Sequence, residues 1–521
     1  MKRFGINRRR LLQGAAGATL ASSVVPRRVR AQSSGPLRVR LPVDIANVDP
    51  AYYGSRSETN IIIATQLRLI EYKATESWEW ELQAAESIGH SDPTHIEFTL
   101  RDGLEWTGDF GEITTEDVKY SFERIIDPAF DTAYKDELFP LDHVEIIDKR
   151  RGVLVLSEPS ASIWSYLPWW SASIICKKAT EALPDQRWTV EPPACGGPYT
   201  IASWKPKQEL VMVYNERYYG PKPEFEEVRF IPIDDDKTAE LALLAGDLDF
   251  TEVSISSVPE LQANPPQGAS MMLRPNLGVR WMGMNTETPP LDDPRVRRAI
   301  QLSVDVDGLL EAAFFGAAPR ATGVIPPGMI GYRDSNIYGE RDVAKAKQLL
   351  AEAGHPDGVK VTLTVVNSTD MNALAQFIQA NAAEAGIEVE INSLESGLFW
   401  VQGIESEGDH WKTLQLFIHN WGWAPDPSSA TMWYTPDQIG NWNWERWNSP
   451  EFLELHRQGL VELDPAKRGE IYSQMMDLME ESGAYLFLTP GVNPLLYRDT
   501  IVPAVSPDGR RYYVSKFTRA A

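Results

Sequence analysis

The chain has 521 residues, of which 43% are apolar and 24% charged, the proportions of an ordinary globular protein. A chain of this length is expected to form several structural units rather than one core. Its formal net charge of −23 argues against a partner made of nucleic acid or anionic lipid.

The N-terminal 31 residues have the features of an export signal. They hold the motif NRRRLL at residues 7–12, an apolar run at 15–25 and a small residue, Ala31, at the end. This order predicts a twin-arginine signal peptide over residues 1–31 and a periplasmic location. The alternative is a basic, disordered N-terminus. Removing the segment takes away eight basic and no acidic residues, so the remaining chain carries about −31.

Further along the chain, short β-rich runs alternate with capped amphipathic helices, which indicates the α/β class. Strands are predicted at residues 37–41, 95–100, 153–156, 210–214, 228–233, 248–253, 360–366 and 388–393. Helices are predicted to begin after the capping residues Thr114, Asp293, Asp342 and Asp464. The second of these is expected to continue to Gly316. Residues 228–253 and 360–393 each read as a βαβ unit with a parallel pair of strands.

The two cysteines, Cys176 and Cys195, are too few for a zinc site. In an oxidising compartment they are expected to form a disulfide. Two free, buried thiols are the alternative.

Six blocks of sequence, in order, resemble the extracytoplasmic solute-binding proteins of peptide, nickel and opine ABC transporters, known as solute-binding family 5. The resemblance runs from about residue 37 to the C-terminus. The blocks are FTLRDG at 98–103 with TEDVKYSFER at 115–124, GPY at 197–199 with Trp204 and NERYY at 215–219, LAGDLD at 244–249, NT at 285–286, PLDDPRVRRA at 290–299 and AKQLLAEAG at 346–354.

The resemblance implies a bilobal periplasmic-binding-protein fold of type II, in the large cluster with an extra subdomain. Lobe I would comprise residues 32–50, 176–278 and 486–521, and the extra subdomain residues 51–175. Lobe II would comprise residues 279–485. Two crossing segments would form a hinge, and a ligand would be enclosed when the lobes close.

The segment HNWGWAPDP at residues 419–427 bears on the ligand. In peptide-binding members the corresponding stretch resembles Trp-x-x-Asp-Tyr-Pro-Asp-Pro, whose first aspartate pairs with the α-ammonium group of the peptide. That position falls here on Trp423 or Ala424, so an ordinary free peptide would leave its ammonium group unpaired. Asp426 is kept, either as a ligand contact or as a residue that shapes the turn.

Eight of the 17 tryptophans fall between residues 400 and 447. Trp421, Trp423, Trp442 and Trp444 are predicted to stack a sugar ring or surround a cationic group, with core packing as the alternative for any one of them. The alternation of Trp442 and Trp444 predicts that both face the same side of a strand or loop.

Other side chains are predicted to reach the cleft. Arg280 and Arg446 could hold a carboxylate or phosphate, unless they form surface ion pairs. Tyr52 and Tyr53 are expected near the edge of lobe I. His419 alone is weak evidence for a nickel complex, and a structural histidine is the alternative.

These observations predict a monomeric binding protein without catalysis or cofactor, which takes a small-molecule ligand to ABC permease subunits in the inner membrane. The ligand classes left open are peptide-like compounds, opines, sugar conjugates and cationic amines. Two alternatives remain: a secreted, glycosidase-like enzyme with a tryptophan-lined groove, and a sensor that uses the same fold. No recognisable nucleophile, zinc-helix or phosphate-loop motif supports the enzyme.

Overall fold

The computed structural model describes residues 35–337 and 340–521, and the predicted twin-arginine segment lies outside these residues. The α-helices are α1 Arg56–Thr65, α2 Thr115–Ile126, α3 Ile163–Tyr166, α4 Lys177–Glu181, α5 Asp236–Ala245, α6 Val258–Ala263, α7 Pro294–Ser303, α8 Val306–Phe314, α9 Val343–Glu352, α10 Thr369–Glu384, α11 Ser396–Phe399, α12 Pro427–Thr431, α13 Pro450–Val461 and α14 Pro465–Glu481. The β-strands are β1 Leu37–Leu41, β2 Ile70–Tyr72, β3 Trp80–Leu82, β4 Ala85–Asp92, β5 His95–Leu100, β6 Leu141–Ile146, β7 Arg151–Leu156, β8 Tyr199–Lys205, β9 Glu209–Tyr214, β10 Glu227–Pro232, β11 Phe250–Glu252, β12 Ala269–Pro275, β13 Gly278–Met284, β14 Val359–Val366, β15 Ile387–Leu394, β16 Leu416–Gly422, β17 Tyr485–Thr489, β18 Val492–Arg498, β19 Ile501–Val502 and β20 Thr518–Arg519.

The first large sheet has seven strands in the order β12-β18-β11-β1-β10-β9-β8. The N-terminal strand β1 pairs in parallel with both β10 and β11. The predicted unit at residues 228–253 therefore has parallel strands joined by α5, but the expected direct pairing is wrong because β1 lies between them.

The second large sheet has five strands in the order β15-β14-β16-β13-β17. Here the βαβ unit predicted at residues 360–393 is confirmed, since β14 and β15 pair in parallel and α10 connects them. The helices α7, α8, α9 and α10 cover one face of this sheet with an apolar core.

A smaller sheet in the order β4-β5-β7-β6 packs with α2 around a third core. A capping box at Thr114 and Asp117 begins α2, as the sequence predicts. The helix buries Val118, Phe122 and Ile125, which are at most 2% exposed.

The chain passes twice between the large sheets, from β12 to β13 and from β17 to β18. The predicted α/β class and bilobal architecture are therefore confirmed, with lobe I built on the seven-stranded sheet and lobe II on the five-stranded one. Strand β17, at Tyr485–Thr489, pairs with β13 in the five-stranded sheet. Within the described residues, no helix has the length and apolar character to cross a membrane.

All four predicted helices begin directly after the expected capping residues. The helix after Asp293 does not continue to Gly316, because α7 stops at Ser303 and Asp305 caps a new helix, α8, by accepting a hydrogen bond from the Gly308 amide. An aspartate at this point offers the chain a second N-terminus instead of a continuous helix.

The predicted disulfide is wrong, because Cys176 and Cys195 are both free and buried. Cys176 precedes α4, which packs beside α2, whereas Cys195 lies next to Thr107, which exchanges two hydrogen bonds with its backbone. Burial raises the thiol pKa to about 11 for Cys176 and about 12 for Cys195. Both groups are therefore protonated and unreactive in the folded chain.

Candidate functional site

A pocket walled by tryptophan rings lies at the end of strand β16. We call it the tryptophan pocket; its volume is about 350 Å³, and it is lined by Trp400, Asn420, Trp421, Gly422, Trp423, Trp433 and Trp442. The Trp421 ring meets Trp442 edge to face at 5.4 Å and Trp433 at 5.9 Å between centroids. The volume suits part of a small organic molecule, and the rings offer flat apolar walls.

The position of the pocket follows from strand pairing. β16 runs antiparallel to β13, and Gly422 is paired with Gly278, the first residue after the crossing from lobe I. A Cβ atom on Gly278 would lie 2.2 Å from the Trp421 carbonyl oxygen, so only glycine permits this approach. The tryptophan pocket is thereby fixed beside the hinge.

His419 lies on the same strand, beneath the pocket. Its ring stacks on Trp421 at 5.0 Å and on Trp400 at 5.4 Å, and neither ring nitrogen has a hydrogen-bond partner. Burial lowers the pKa of His419 to about 3, so the ring is neutral. No group of three or more potential ligand side chains is placed to bind a metal ion in the described part of the chain. This packing fits a structural histidine, the alternative to a nickel ligand that was expected for His419.

Glu445 is a buried acid that the sequence analysis missed. It is fully buried, and one carboxylate oxygen accepts a hydrogen bond of 2.8 Å from the Trp281 indole. A Cβ atom on Gly283 would lie 2.4 Å from that oxygen, so this glycine makes room for the carboxyl group. Burial raises the pKa of Glu445 to about 8, which leaves it largely protonated at pH 7. In the sequence, only the position of Glu445 inside the tryptophan-rich segment indicates that this acid is buried.

Asp426 is bonded to protein groups, which fits the alternative that it shapes the turn, although it also lines a cavity together with Pro425 and Pro427. Its two oxygens each accept a 2.8 Å hydrogen bond from Arg468, and further bonds come from Ser428 and Ser165. Burial acts to raise the pKa of Asp426, but the charge and hydrogen bonds of Arg468 and the bonds from Ser428 outweigh it, so the pKa lies below its usual value. A fully paired carboxylate has no capacity left for a ligand ammonium group.

The predicted shared face of Trp442 and Trp444 is wrong. Residues 441–447 form turns rather than a strand, and Trp444 turns inward, 1% exposed, against Phe399 and Phe417. Its indole donates to the Asn441 carbonyl at 3.0 Å. Trp442 alone of the pair lines the tryptophan pocket.

Arg446 is also committed to the fold. It ion-pairs with Glu287 at 2.5 Å and Glu405 at 2.8 Å, and it stacks on Trp411 with its guanidinium carbon 4.0 Å from the ring centroid. The guanidinium group is buried while both acids are about half exposed, and these pairs fit the alternative expected for Arg446, an arginine that forms ion pairs within the protein.

Tyr52 and Tyr53 contact protein groups. Tyr52 lies under Arg187, whose guanidinium carbon is 4.6 Å from the ring centroid. Tyr53 stacks on Tyr134 at 4.1 Å and donates a hydrogen bond to Glu137. Neither tyrosine is among the residues that line the tryptophan pocket.

Ala424 also lies outside the pocket lining, and its carbonyl accepts bonds from the Asp426 amide and the Ser429 hydroxyl. Arg280, on β13, lies beside the second crossing and has one acid nearby, Asp370, at 3.6 Å. Its Nε is buried without a hydrogen-bond partner, and its guanidinium carbon lies 5.2 Å from the Phe314 ring centroid.

A second, larger cavity of about 840 Å³ lies between residues 72–165 and lobe II. Its walls include Tyr72, Trp78, Trp80, Trp164, Met329 and Tyr332. The floor contains Pro425 and Pro427, which places this cavity on the other side of the same loop that carries Trp423.

Comparisons with known proteins agree with one another. A model of the bacterial extracellular solute-binding proteins, family 5 (middle region), matches residues 79–442. The probable D,D-dipeptide-binding periplasmic protein DdpA of Escherichia coli K12 is 28% identical over 462 residues, which cover 85% of this chain and 86% of that protein. The glutathione-binding protein GsiB of the same strain is 25% identical over 397 residues, 74% of this chain and 76% of that protein. HbpA2 from Haemophilus parasuis has the same fold, with a TM-score of 0.83 at 21% identity over 93% of this chain and all of that one.

Proposed function

The chain belongs to the bacterial extracellular solute-binding proteins, family 5, and on this premise we propose that it captures a small organic solute between its lobes and delivers it to an ABC importer. The observation that carries the proposal is the tryptophan pocket beside the hinge. A ligand bound there contacts the region where one lobe meets the other, so its binding energy favours the closed form.

The family consists of transport-linked binding proteins, and the proposed role requires no chemical step. The comparisons give no support to a glycosidase or to a sensor. We therefore assign the buried acid Glu445 to the core under Trp281 rather than to catalysis, since neither Glu445 nor any other acid is among the residues that line the tryptophan pocket.

The solute differs from an ordinary free peptide. Relatives are named for binding a dipeptide and glutathione. In this chain Asp426, in the same segment as Trp421 and Trp423, is paired with Arg468. Trp423 or Ala424 occupies the position where an acidic partner for an ammonium group is expected. None of the residues that line the tryptophan pocket carries a charge. The pocket therefore suits a ring or apolar group rather than an amine.

Location, partners and domain division form part of the same proposal. The basic N-terminal motif supports export by the twin-arginine route to the periplasm, where a monomer would meet inner-membrane permease subunits. The strand content of the sheets supports residues 32–50, 176–278 and the C-terminal tail as lobe I, 51–175 as its extra subdomain, and the intervening stretch up to Thr489 as lobe II.

The test uses purified protein without residues 1–31. Native mass spectrometry identifies any solute that is retained, and a panel of peptides, opines, short sugars, quaternary amines and nickel complexes is screened by melting temperature and tryptophan fluorescence. A true ligand should raise the melting temperature and change the fluorescence, because closure buries pocket tryptophans. If no compound changes either signal while the protein hydrolyses a substrate, the transport function is wrong.

A matched pair of variants locates the site. Trp442→Ala should weaken binding of the identified solute about tenfold, since a stacked ring contributes about 1–2 kcal/mol. Trp204→Ala removes a comparably half-buried tryptophan from β8 in lobe I and should leave affinity unchanged. Equal effects of the two changes would place the ligand elsewhere.

A further inference from the structure

The larger cavity, between residues 72–165 and lobe II, is separate from the tryptophan pocket. We call it the second cavity; its volume of about 840 Å³ lies in the range of small-molecule sites. The two cavities have no lining residue in common. The loop between them turns Trp423 to the tryptophan pocket and Pro425 and Pro427 to the second cavity. A molecule in the second cavity therefore occupies a compartment of its own.

Direct contacts join the two walls of the second cavity. The Ser165 hydroxyl donates a hydrogen bond of 3.0 Å to Asp426, and the Trp78 amide donates one of 3.2 Å to the Gly328 carbonyl. Gly328 has a φ of +85°, and a Cβ atom there would lie 2.6 Å from the Glu76 carbonyl oxygen. Only glycine permits both this conformation and this approach, so the cavity is a built feature of the contact between residues 72–165 and lobe II.

The fold leaves three large apolar side chains of the second cavity uncovered. Trp80, Ile330 and Leu463 all line it and are 36%, 39% and 40% exposed. Trp80 is held parallel to Trp164, with 5.3 Å between the ring centroids and 11° between the ring planes. Uncovered apolar side chains that gather in a concave site indicate a binding site for an apolar group.

The charges on the wall of the second cavity are mainly negative. Its one basic lining residue, Arg468, is bound to Asp426 by two hydrogen bonds of 2.8 Å. The other two charged lining residues are Glu79 and Glu462. With Arg468 and Asp426 neutralising each other, the wall carries the charge of two carboxylates, which favours a cation and disfavours an anion.

Neither carboxylate is neutralised by a buried base. Glu79 is ionised, since hydrogen bonds from Lys73 and Ser77 lower its pKa, but its pair with Lys73 lies in solvent, where an ion pair contributes little. Glu462 accepts a hydrogen bond of 2.8 Å from the Asp464 amide and forms no ion pair with any residue of the ranges 35–337 and 340–521. Both acids therefore keep their charge available to a ligand.

We propose that the second cavity is a further binding site, which takes an organic cation with an apolar body. The apolar body contacts Trp80, Trp164 and the uncovered aliphatic side chains. The cationic group is stabilised by the faces of the aromatic rings and by the negative charge of Glu79 and Glu462. This inference goes beyond the proposed function, because the site is distinct from the tryptophan pocket.

Calorimetric titration at neutral pH with three matched probes tests the proposal. Phenylbutylamine, phenylbutanol and phenylbutyrate present one ring and one chain with a cationic, a neutral and an anionic end. The amine should bind about tenfold more tightly than the alcohol, and the carboxylate more weakly than the alcohol. No binding of the amine, or equal binding of amine and alcohol, overturns the inference.

Two variants with matched controls locate the amine. Leu463→Lys puts a positive charge on the cavity wall and should weaken amine binding about tenfold, with a smaller effect on the alcohol. Its control, Val461→Lys, changes a side chain that is 49% exposed and outside the lining, and should leave amine binding unchanged. Glu462→Gln should weaken the amine several-fold and spare the alcohol, whereas Glu454→Gln, at an exposed position of α13, should change neither.

Trp442→Ala separates the second cavity from the tryptophan pocket. It should leave amine binding unchanged, because Trp442 lines the tryptophan pocket and not the second cavity. A loss of amine affinity in Trp442→Ala as large as in Leu463→Lys overturns the inference. The proposed function is judged separately, by the retained solute and the wider panel, so a solute in the tryptophan pocket without amine binding refutes the second site alone.

Discussion

Glu445→Gln should stabilise the protein at neutral pH, because it replaces a buried carboxyl group, which must be protonated in the core, by an amide that is always neutral. The unfolded carboxyl group titrates near 4.5 and the folded one near 8, so at pH 7 the folded chain must take up a proton that the unfolded chain has released. Each pH unit between 4.5 and 7 lowers the free energy of unfolding by about 1.4 kcal/mol, so the total cost at pH 7 is about 3 kcal/mol. Glutamine is neutral at every pH, and its amide oxygen can still accept the bond from Trp281.

The sign of the pH dependence follows from the raised pKa. The contribution of Glu445 to stability is fully present below about pH 4.5 and is lost as the pH rises towards 8 and beyond. His419 and His456 act in the opposite direction, because burial lowers their pKa to about 3 and about 4 and their contribution is lost below about pH 6.5. The effect of Glu445 is therefore read from the difference in unfolding free energy between wild type and variant at each pH, because the histidines contribute equally to both proteins.

The assay is urea unfolding of wild type and Glu445→Gln at pH values from 5 to 9. The variant should gain little at pH 5, about 3 kcal/mol at pH 7, and more at pH 9. A variant that is less stable than wild type at pH 7, with a difference independent of pH, would refute the reasoning. That result would show that Glu445 is ionised and paired in the folded chain.

Two further predictions concern other buried groups. Asp426→Asn leaves Arg468 buried without its counter-ion and should lower the free energy of unfolding in urea by about 3–5 kcal/mol. As a control, Asp409→Asn, which breaks the exposed pair with Lys412, should have little effect. Similar losses in the two variants would contradict a stabilising buried pair. Cys176 and Cys195 should not react with a thiol reagent in the folded protein, and both should react after denaturation without reductant; a mass lower by two hydrogens would show a disulfide instead.

Features that are determined by residues close together in the sequence could be predicted. Thr114 with Asp117, and Asp464 before Pro465, determine where α2 and α14 begin, because capping side chains bond to backbone groups of the first turn. Residues 359–394 form a βαβ unit by local alternation of strand and helix, which the sequence also shows.

Features that depend on distant residues were not predictable. Nothing near residues 228–253 indicates that β1 inserts between the two strands of that unit, since sheet order is decided by packing across nearly 200 residues. Asp426 reads as a turn residue until Arg468, 42 residues later, is seen to pair with it.

The candidate site was located only in part. The tryptophan-rich segment indicated where the pocket lies, and Trp421, Trp423 and Trp442 do line it. Trp444 does not share a face with Trp442, because the chain makes turns here and side chains alternate regularly only in a strand.

The strand order has a consequence for folding during synthesis on the ribosome. All strands of the five-stranded sheet lie between Gly278 and Thr489, so lobe II can assemble as soon as that stretch emerges. The seven-stranded sheet needs β18, at Val492–Arg498, to join β12 to β11. Lobe I, though its first strand is made early, therefore depends on β18, and removal of residues 492–521 should leave lobe I incomplete while lobe II can already fold.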